Sequence, residues 1–184
     1  MKRFFLLLVL FSVGFWGCSE STNPIDPVKN ETHKSFLKVS PNASMSLMKT
    51  EVSQDIDGAR GGIVFIRLDS EDDNGESQYG ARGWLYFPRG SFEGTQTIGV
   101  AIAEDMAALD FSPSGLQFDK PAQLTVKFSG VEIGADDDID FMYIDENGNL
   151  APVEYRRLIV NRWLGWVIVV GAKLDHFSRY GFTK

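Results

Sequence analysis

The sequence contains one cysteine and two histidines in 184 residues. A single cysteine excludes an intrachain disulfide, so an exported domain with this sequence must be stable through its core alone. The same scarcity argues against a zinc site, because such sites are built mainly from cysteine and histidine. Positive charge is also scarce, with 18 Lys and Arg against 25 Asp and Glu. This acidic balance argues against binding nucleic acid through charge.

The start of the chain lacks a long enough apolar run for a permanent membrane helix. Phe4–Trp16 is interrupted by Ser12 and Gly14, and it is shorter than the roughly 18–20 apolar residues that a spanning helix needs. It follows Lys2-Arg3, and a small residue, Gly17, comes after it. This layout is typical of a secretory signal. We therefore expect residues 1–17 to be an export signal.

Gly17-Cys18 resembles the end of a lipobox, the motif at which the lipoprotein signal peptidase cuts, although Phe15 and Trp16 differ from the aliphatic and small residues usual there. The resemblance implies that Cys18 is diacylated, becomes the first residue after cleavage and is acylated again on its new amine. At about 0.8 kcal/mol per buried CH₂, several acyl chains hold a protein on a membrane essentially permanently. The alternative is an ordinary secreted protein with a free thiol near its start. Cleavage would remove Lys2 and Arg3 and take the net charge from −7 to −9.

The residue after the cysteine bears on location. Ser19 stands where lipoproteins retained in the inner membrane of enteric bacteria carry aspartate. We therefore expect a lipid-anchored protein of the cell envelope, in the outer membrane rather than the inner, with its domain facing the periplasm or the cell surface.

Residues 18–50 are rich in Ser, Thr, Asn, Pro and Lys, and they show no helix or strand period. This composition predicts a flexible tether after the lipidated cysteine. Residues 51–184 then remain for one domain of ordinary size.

The domain sequence predicts strands and no long amphipathic helix. Residues 122–128 alternate strictly between apolar and polar, and Asn147-Gly148 is a strong hairpin signal. Further short β-branched or aromatic runs lie between turn residues, at 63–66, 84–87, 98–103, 141–144, 153–160, 163–170 and 172–182. Together they predict an all-β fold, an antiparallel β-sandwich of about eight or nine short strands.

Three segments of the domain carry a family resemblance. Phe87–Phe92 has the form of a Pro-x-Gly-Ala turn with serine in place of alanine, Phe111–Pro121 forms a proline-bracketed corner, and Leu174–Gly181 is similar to a terminal strand. In this order and spacing they resemble the ZU domain, which zonula occludens proteins, netrin receptors and ankyrins share with bacterial envelope proteins. The resemblance covers about residues 60–184 and implies a β-sandwich.

The resemblance also implies one chemical activity, at His176-Phe177-Ser178. Some members of the family cleave themselves between Phe and Ser in such a motif. His176 would take the proton of Ser178, whose Oγ would attack the Phe177 carbonyl, and water would hydrolyse the resulting ester. The alternative, which we favour, is that His176 and Ser178 bond to neighbouring strands while Phe177 packs inward. Cleavage would release no further domain, since only residues 178–184 follow the bond.

Two other groups of residues suggest ligands. The oxygen-rich loop with Asp69, Glu71 and Asp73 suits calcium, but Asn74 and Gly80 break the helix-loop-helix calcium pattern. A solvated acidic loop is the simpler interpretation, and we expect no cofactor besides the covalent lipid.

An aromatic platform for sugars could be formed by Trp84, Trp163 and Trp166, although tryptophans on strands more often fill the core.

The sequence therefore leaves three functions open. The favoured one is a non-catalytic, lipid-anchored envelope module that binds a protein or polysaccharide or has a structural role. The alternatives are a self-processing domain and a glycan-binding module.

Overall fold

The computed structural model describes residues 34–39, 46–49, 51–71, 77–103, 106–145 and 147–184, with the backbone alone at 46–49, 70–71 and 77–78. The predicted export signal, Cys18 and much of the predicted tether lie outside these ranges. Within them, no helix is long and apolar enough to cross a membrane.

The described part of the chain forms two six-stranded antiparallel sheets. The strands are β1 Ser46–Lys49, β2 Glu51–Asp57, β3 Gly62–Glu71, β4 Ser77–Phe87, β5 Thr95–Ile102, β6 Ala108–Ser112, β7 Gln117–Ser129, β8 Asp140–Ile144, β9 Leu150–Pro152, β10 Arg157–Asn161, β11 Trp166–His176 and β12 Arg179–Thr183. The first sheet has the order β1-β3-β4-β7-β11-β10, and the second has the order β2-β5-β6-β12-β8-β9. The predicted all-β sandwich is confirmed, with twelve strands among the described residues in place of eight or nine.

The core lies between the sheets and follows from the alternation of side chains along each strand. In β7, Ala122, Leu124, Val126 and Phe128 are all fully buried, while the residues between them face away from the core. Each buried aliphatic or aromatic side chain contributes roughly 1.5–3 kcal/mol of transfer free energy. The second sheet closes the same core with side chains of its own, including Ile98, Val100, Tyr180 and Phe182.

Residues 34–39 belong to the domain, so it begins before the predicted boundary at residue 51. Leu37 is fully buried, and its N–H donates to the Phe182 carbonyl oxygen at 2.7 Å. Isolated bridges join Phe36 to Thr183 and Val39 to Val131. Three apolar residues among polar neighbours are too few to show a strand period, which is why the sequence placed this segment in the tether. We call residues 34–39 the N-terminal strap.

Replacing Leu37 with alanine should lower the free energy of unfolding by about 2–4 kcal/mol, because the change leaves a cavity in a fully buried position. Urea denaturation measures the loss. The neighbouring exposed residue supplies the control, since Lys38→Ala should change stability by less than about 0.5 kcal/mol. Equal effects of the two changes would show that the strap does not pack on the domain.

The strap is also held by a polar contact. Lys34 Nζ donates to one carboxylate oxygen of Asp140 at 3.1 Å, while the Tyr155 hydroxyl and the Phe141 N–H donate to the other at 2.9 and 2.8 Å. Burial raises the pKa of Asp140, but the hydrogen bonds from Tyr155, Phe141 and Lys34 outweigh it, so the net pKa lies below its usual value. Burial and the bond to Asp140 raise the pKa of Tyr155 to about 12.

Tyr155→Phe should cost about 1 kcal/mol of stability at about pH 7, because the Asp140 carboxylate loses one hydrogen bond. A lowered carboxyl pKa stabilises the fold above the unfolded value of about 3.9, and this contribution is lost as pH falls through the folded pKa. Urea unfolding at about pH 7 and about pH 3 should therefore show a loss that shrinks in acid. Tyr86→Phe, at an exposed tyrosine, is the matched control. A loss that is the same at both pH values would show that Tyr155 does not stabilise the fold through the ionised carboxylate of Asp140.

Candidate functional site

The His176-Phe177-Ser178 motif lies between β11 and β12. Phe177 is almost fully buried. Its ring stacks on Phe111 with centroids 5.2 Å apart and meets the edge of Phe118 at 5.0 Å. The side chain that would precede the scissile bond is thus held in an aromatic cluster of the core.

The hydrogen bonds of the motif show which parts of a cleavage site are assembled. The Phe177 carbonyl oxygen accepts from the Gly115 N–H at 3.2 Å and lies 3.4 Å from His176 Nδ1. Ser178 Oγ, however, donates to the Ile144 carbonyl oxygen at 2.5 Å. No hydrogen bond joins His176 to Ser178 in the described part of the chain. A donor therefore faces the carbonyl oxygen, but the base does not contact the hydroxyl that it would deprotonate.

An open groove of about 620 Å³ lies beside the motif, lined by His176 to Arg179 and parts of two neighbouring loops. Its charged groups are largely engaged within the protein. Arg179 donates to both carboxylate oxygens of Asp110, at 2.7 and 2.9 Å. The Asp145 carboxylate accepts backbone N–H groups of its own turn, from Asn149 and Asn147, and these bonds lower its pKa. Among the described residues, the groove's Asp110, Asp145 and Arg179 are therefore all held by bonds within the protein.

The purified protein should keep residues 178–184, because Ser178 Oγ is bonded to Ile144 and not to a base. Intact-mass spectrometry after prolonged incubation checks this. Ser178→Ala should give the same pattern as the unchanged protein, shifted only by the substitution. A fragment ending at Phe177 that disappears in Ser178→Ala would establish self-cleavage.

A second feature lies on the outer face of the first sheet. Four large side chains occupy adjacent positions there, and we call them the aromatic block: Ile63, Phe65, Trp84 and Tyr86 are 40, 70, 46 and 39% exposed. Ile63 pairs with Tyr86 and Phe65 pairs with Trp84 across β3 and β4. Single exposed apolar residues are ordinary, whereas a contiguous group of them makes this face a candidate interaction surface.

Three basic residues lie directly beside the aromatic block, and we call them the cation row. Arg67 pairs with Arg82, and Arg82 pairs with Lys127, so the row crosses β3, β4 and β7 at neighbouring positions. One carboxylate serves both arginines: Asp69 lies 3.0 Å from Arg82 and 3.6 Å from Arg67. The Lys127 ammonium lies 5.0 Å from the centre of the Trp166 ring. These four charged residues sum to +2 on a chain of net charge −7.

Polar side chains complete the face. Gln123 pairs with Tyr86, and Thr125 pairs with Trp84, so β7 places an amide and a hydroxyl beside the aromatic block. The outer face thus carries rings, neutral hydrogen-bonding groups and cations at adjacent positions.

The expectation that the tryptophans fill the core is wrong for the three that the structure describes. Trp84 belongs to the aromatic block, Trp163 is 93% exposed on the turn after β10, and Trp166 is half-buried beneath Lys127. The inward positions next to them hold Leu85 and Val167. Of the three tryptophans considered as a sugar platform, Trp84 is joined on its face by Phe65 and Tyr86. Trp166 lies against Lys127, and Trp163 lies on the turn after β10.

The acidic residues considered for calcium have other surroundings where they are described. Asp69 is paired with the two arginines, while Asp73 and the side chain of Glu71 lie outside the described residues. Another acidic stretch lies at residues 135–138, where Asp137 accepts the Gly134 N–H at 2.7 Å and pairs with Lys184 at 3.4 Å. Among the described side chains, no group of three or more His, Cys, Asp and Glu could hold a metal ion.

No family model matches the chain, and no curated protein matches it in sequence. The similarity to ZU domains therefore rests on the three quoted segments and stays a prediction. Sequence reasoning missed Phe65, Arg67, Arg82 and Lys127 as members of a site. Their outward positions follow from strand alternation, but their adjacency depends on pairing between strands that are distant in sequence.

Proposed function

We propose that this protein is a lipid-anchored module of the cell envelope that binds its partner without catalysis, through the outer face of the first sheet. The observation that carries the proposal is the aromatic block, in which Phe65 is 70% and Trp84 is 46% exposed at directly paired positions. Large side chains here are not needed for the core, since the alternate residues of both strands fill it. Aromatic residues and arginine are enriched where proteins bind partners.

The anchor is the other half of the proposal. The basic start, the apolar run and Gly17-Cys18 support export and lipidation at Cys18, and Ser19 supports the outer membrane over the inner one. The acyl chains fix the chain to the membrane, and the domain is then free to bind envelope material. We propose no cofactor besides this lipid, and the ZU-like identity of the domain remains part of the proposal.

Self-processing remains the second candidate, since the Gly115 N–H and His176 both lie at the Phe177 carbonyl oxygen. It is less well supported, because Ser178 donates its proton to Ile144. A binding role also accounts for the exposed aromatic block on the outer face, whereas self-cleavage would give that block no purpose.

Changing Phe65 to serine together with Trp84 to alanine should abolish most binding to the envelope. We would mix the purified full chain with the insoluble envelope fraction of the native host and measure the amount that sediments. The double variant should bind at least about tenfold more weakly, because truncating aromatic residues central to an interface costs about 2 kcal/mol or more.

Trp163→Ala is the matched control, because it removes a tryptophan that is 93% exposed but lies on a turn outside the aromatic block. It should sediment like the unchanged protein. If the double variant also does so, the outer face is not the binding surface. Urea unfolding of each variant separates lost binding from lost folding.

A further inference from the structure

The cation row is an arrangement that the isolated domain does not favour. Arg67, Arg82 and Lys127 lie side by side on strands about 4.8 Å apart, and like charges directly opposite each other on neighbouring strands are destabilising. Asp69 offsets one of the three charges. The side chains of Arg67 and Arg82 are 80 and 59% exposed, so both remain accessible to a partner. An anionic partner would relieve the remaining repulsion.

The residues beside the row indicate what kind of anion this is. Phe65, Trp84 and Tyr86 offer aromatic rings on an exposed sheet face. Next to them, Gln123 offers an amide, and the Thr125 hydroxyl, which accepts the Gly171 N–H at 3.1 Å, keeps its own proton to donate. A sugar ring has an apolar face of C–H groups and an edge of hydroxyls. The outer face therefore matches a sugar in both respects, with rings for its face and hydrogen-bonding groups for its edge.

We propose that the outer face binds an acidic polysaccharide, a linear chain of uronic acid units that carries one carboxylate per sugar. The sugar rings stack on the aromatic block, and their carboxylates pair with Arg67 and Arg82, since guanidinium groups suit carboxylates. Arg82 donates to Asp69 Oδ1 through Nε and Nη2, at 3.1 and 3.0 Å, so a sugar carboxylate approaches the other side of that guanidinium. This inference rests on the proposed function, because it names the partner of the same surface. It differs from the platform of Trp84, Trp163 and Trp166, which the sequence left open as an alternative, in its residues and in its requirement for charge.

Two other anionic partners fit less well. A phospholipid surface matches the cation row, but the aromatic block lies within a sheet face between Asp69 and the polar residues of β7, which insertion into a membrane would desolvate. Single-stranded nucleic acid could stack on the rings, but it carries fewer hydroxyl groups than a polysaccharide to bond to the Gln123 amide and the Thr125 hydroxyl beside them. Both partners are included as outcomes of the test.

The test is isothermal titration calorimetry, which measures the affinity of the purified full chain for polygalacturonate. Parallel titrations use a neutral glucan of similar length, vesicles of phosphatidylglycerol and phosphatidylcholine, and oligothymidylate. We expect binding to polygalacturonate that is at least about tenfold tighter than binding to the neutral glucan and that weakens as salt is raised.

Two sets of variants locate the binding. Trp84→Ala, and separately Arg67→Gln with Arg82→Gln, should each weaken polygalacturonate binding by about tenfold or more. Their matched controls are Trp163→Ala and the pair Arg60→Gln with Arg89→Gln, which remove an exposed tryptophan and two exposed arginines elsewhere. The controls should stay within about twofold of the unchanged protein, as surface changes away from an interface do.

Each other result overturns the inference in a distinct way. Equal binding of polygalacturonate and neutral glucan would remove the role of the cation row, and tighter binding of vesicles or oligothymidylate would replace the sugar with another partner. If polygalacturonate fails to bind while envelope sedimentation still depends on Phe65 and Trp84, the polysaccharide is wrong and the proposed function stands. If both fail, the outer face is not a binding surface.

Discussion

The pairing register of β3, β4 and β7 decides which side chains of the first sheet lie in the core and which are exposed. Val64, Leu85 and Val126 are buried from these three strands, so the residues between them must face outward. A slip of one residue would exchange the two sets and expose the core. The aromatic block and the cation row are therefore placed by the same pairing that builds the core. Because outward positions can hold any polar residue, folding alone does not require four large side chains and three cations there.

The core is closed without a disulfide among the described residues, and aromatic contacts join its distant parts. The Phe177 ring contacts Phe87, Phe111 and Phe118, which come from β4, β6 and β7. The His176-Phe177-Ser178 motif, for which the sequence suggested self-cleavage, thus contributes to the packing of the core through Phe177. The strap adds a further closure, since Leu37 is buried against the chain end. In the proposed binding role, an outer face that is already arranged by the packed core beneath it would lose less entropy when a partner binds.

Several features could be predicted because their signals are local. The strict alternation of residues 122–128 lies within β7, and Asn147-Gly148 forms the turn between β8 and β9, with Gly148 at a φ of +82°. Local sequence signals did not reveal the segments whose structure depends on contacts with distant parts of the chain. β2 is a mostly polar edge strand that pairs along its length with β5. The strap is held by contacts with residues far along the chain, including Phe182 and Asp140. The adjacency of Arg67, Arg82 and Lys127 needs two strand pairings, which no single stretch of sequence reveals.

The proposed binding through the outer face can be tested directly in the cell. A photoreactive amino acid would be placed at position 65, in the aromatic block, and in separate strains at position 163 on the exposed turn and at position 145 in the groove beside the His-Phe-Ser motif. Illumination of the native host followed by gel analysis of the full chain measures which position lies against a partner. Binding through the aromatic block predicts crosslinked, polysaccharide-positive species from position 65 and not from the other two. Crosslinks from position 145 or 163 with none from position 65 would contradict it.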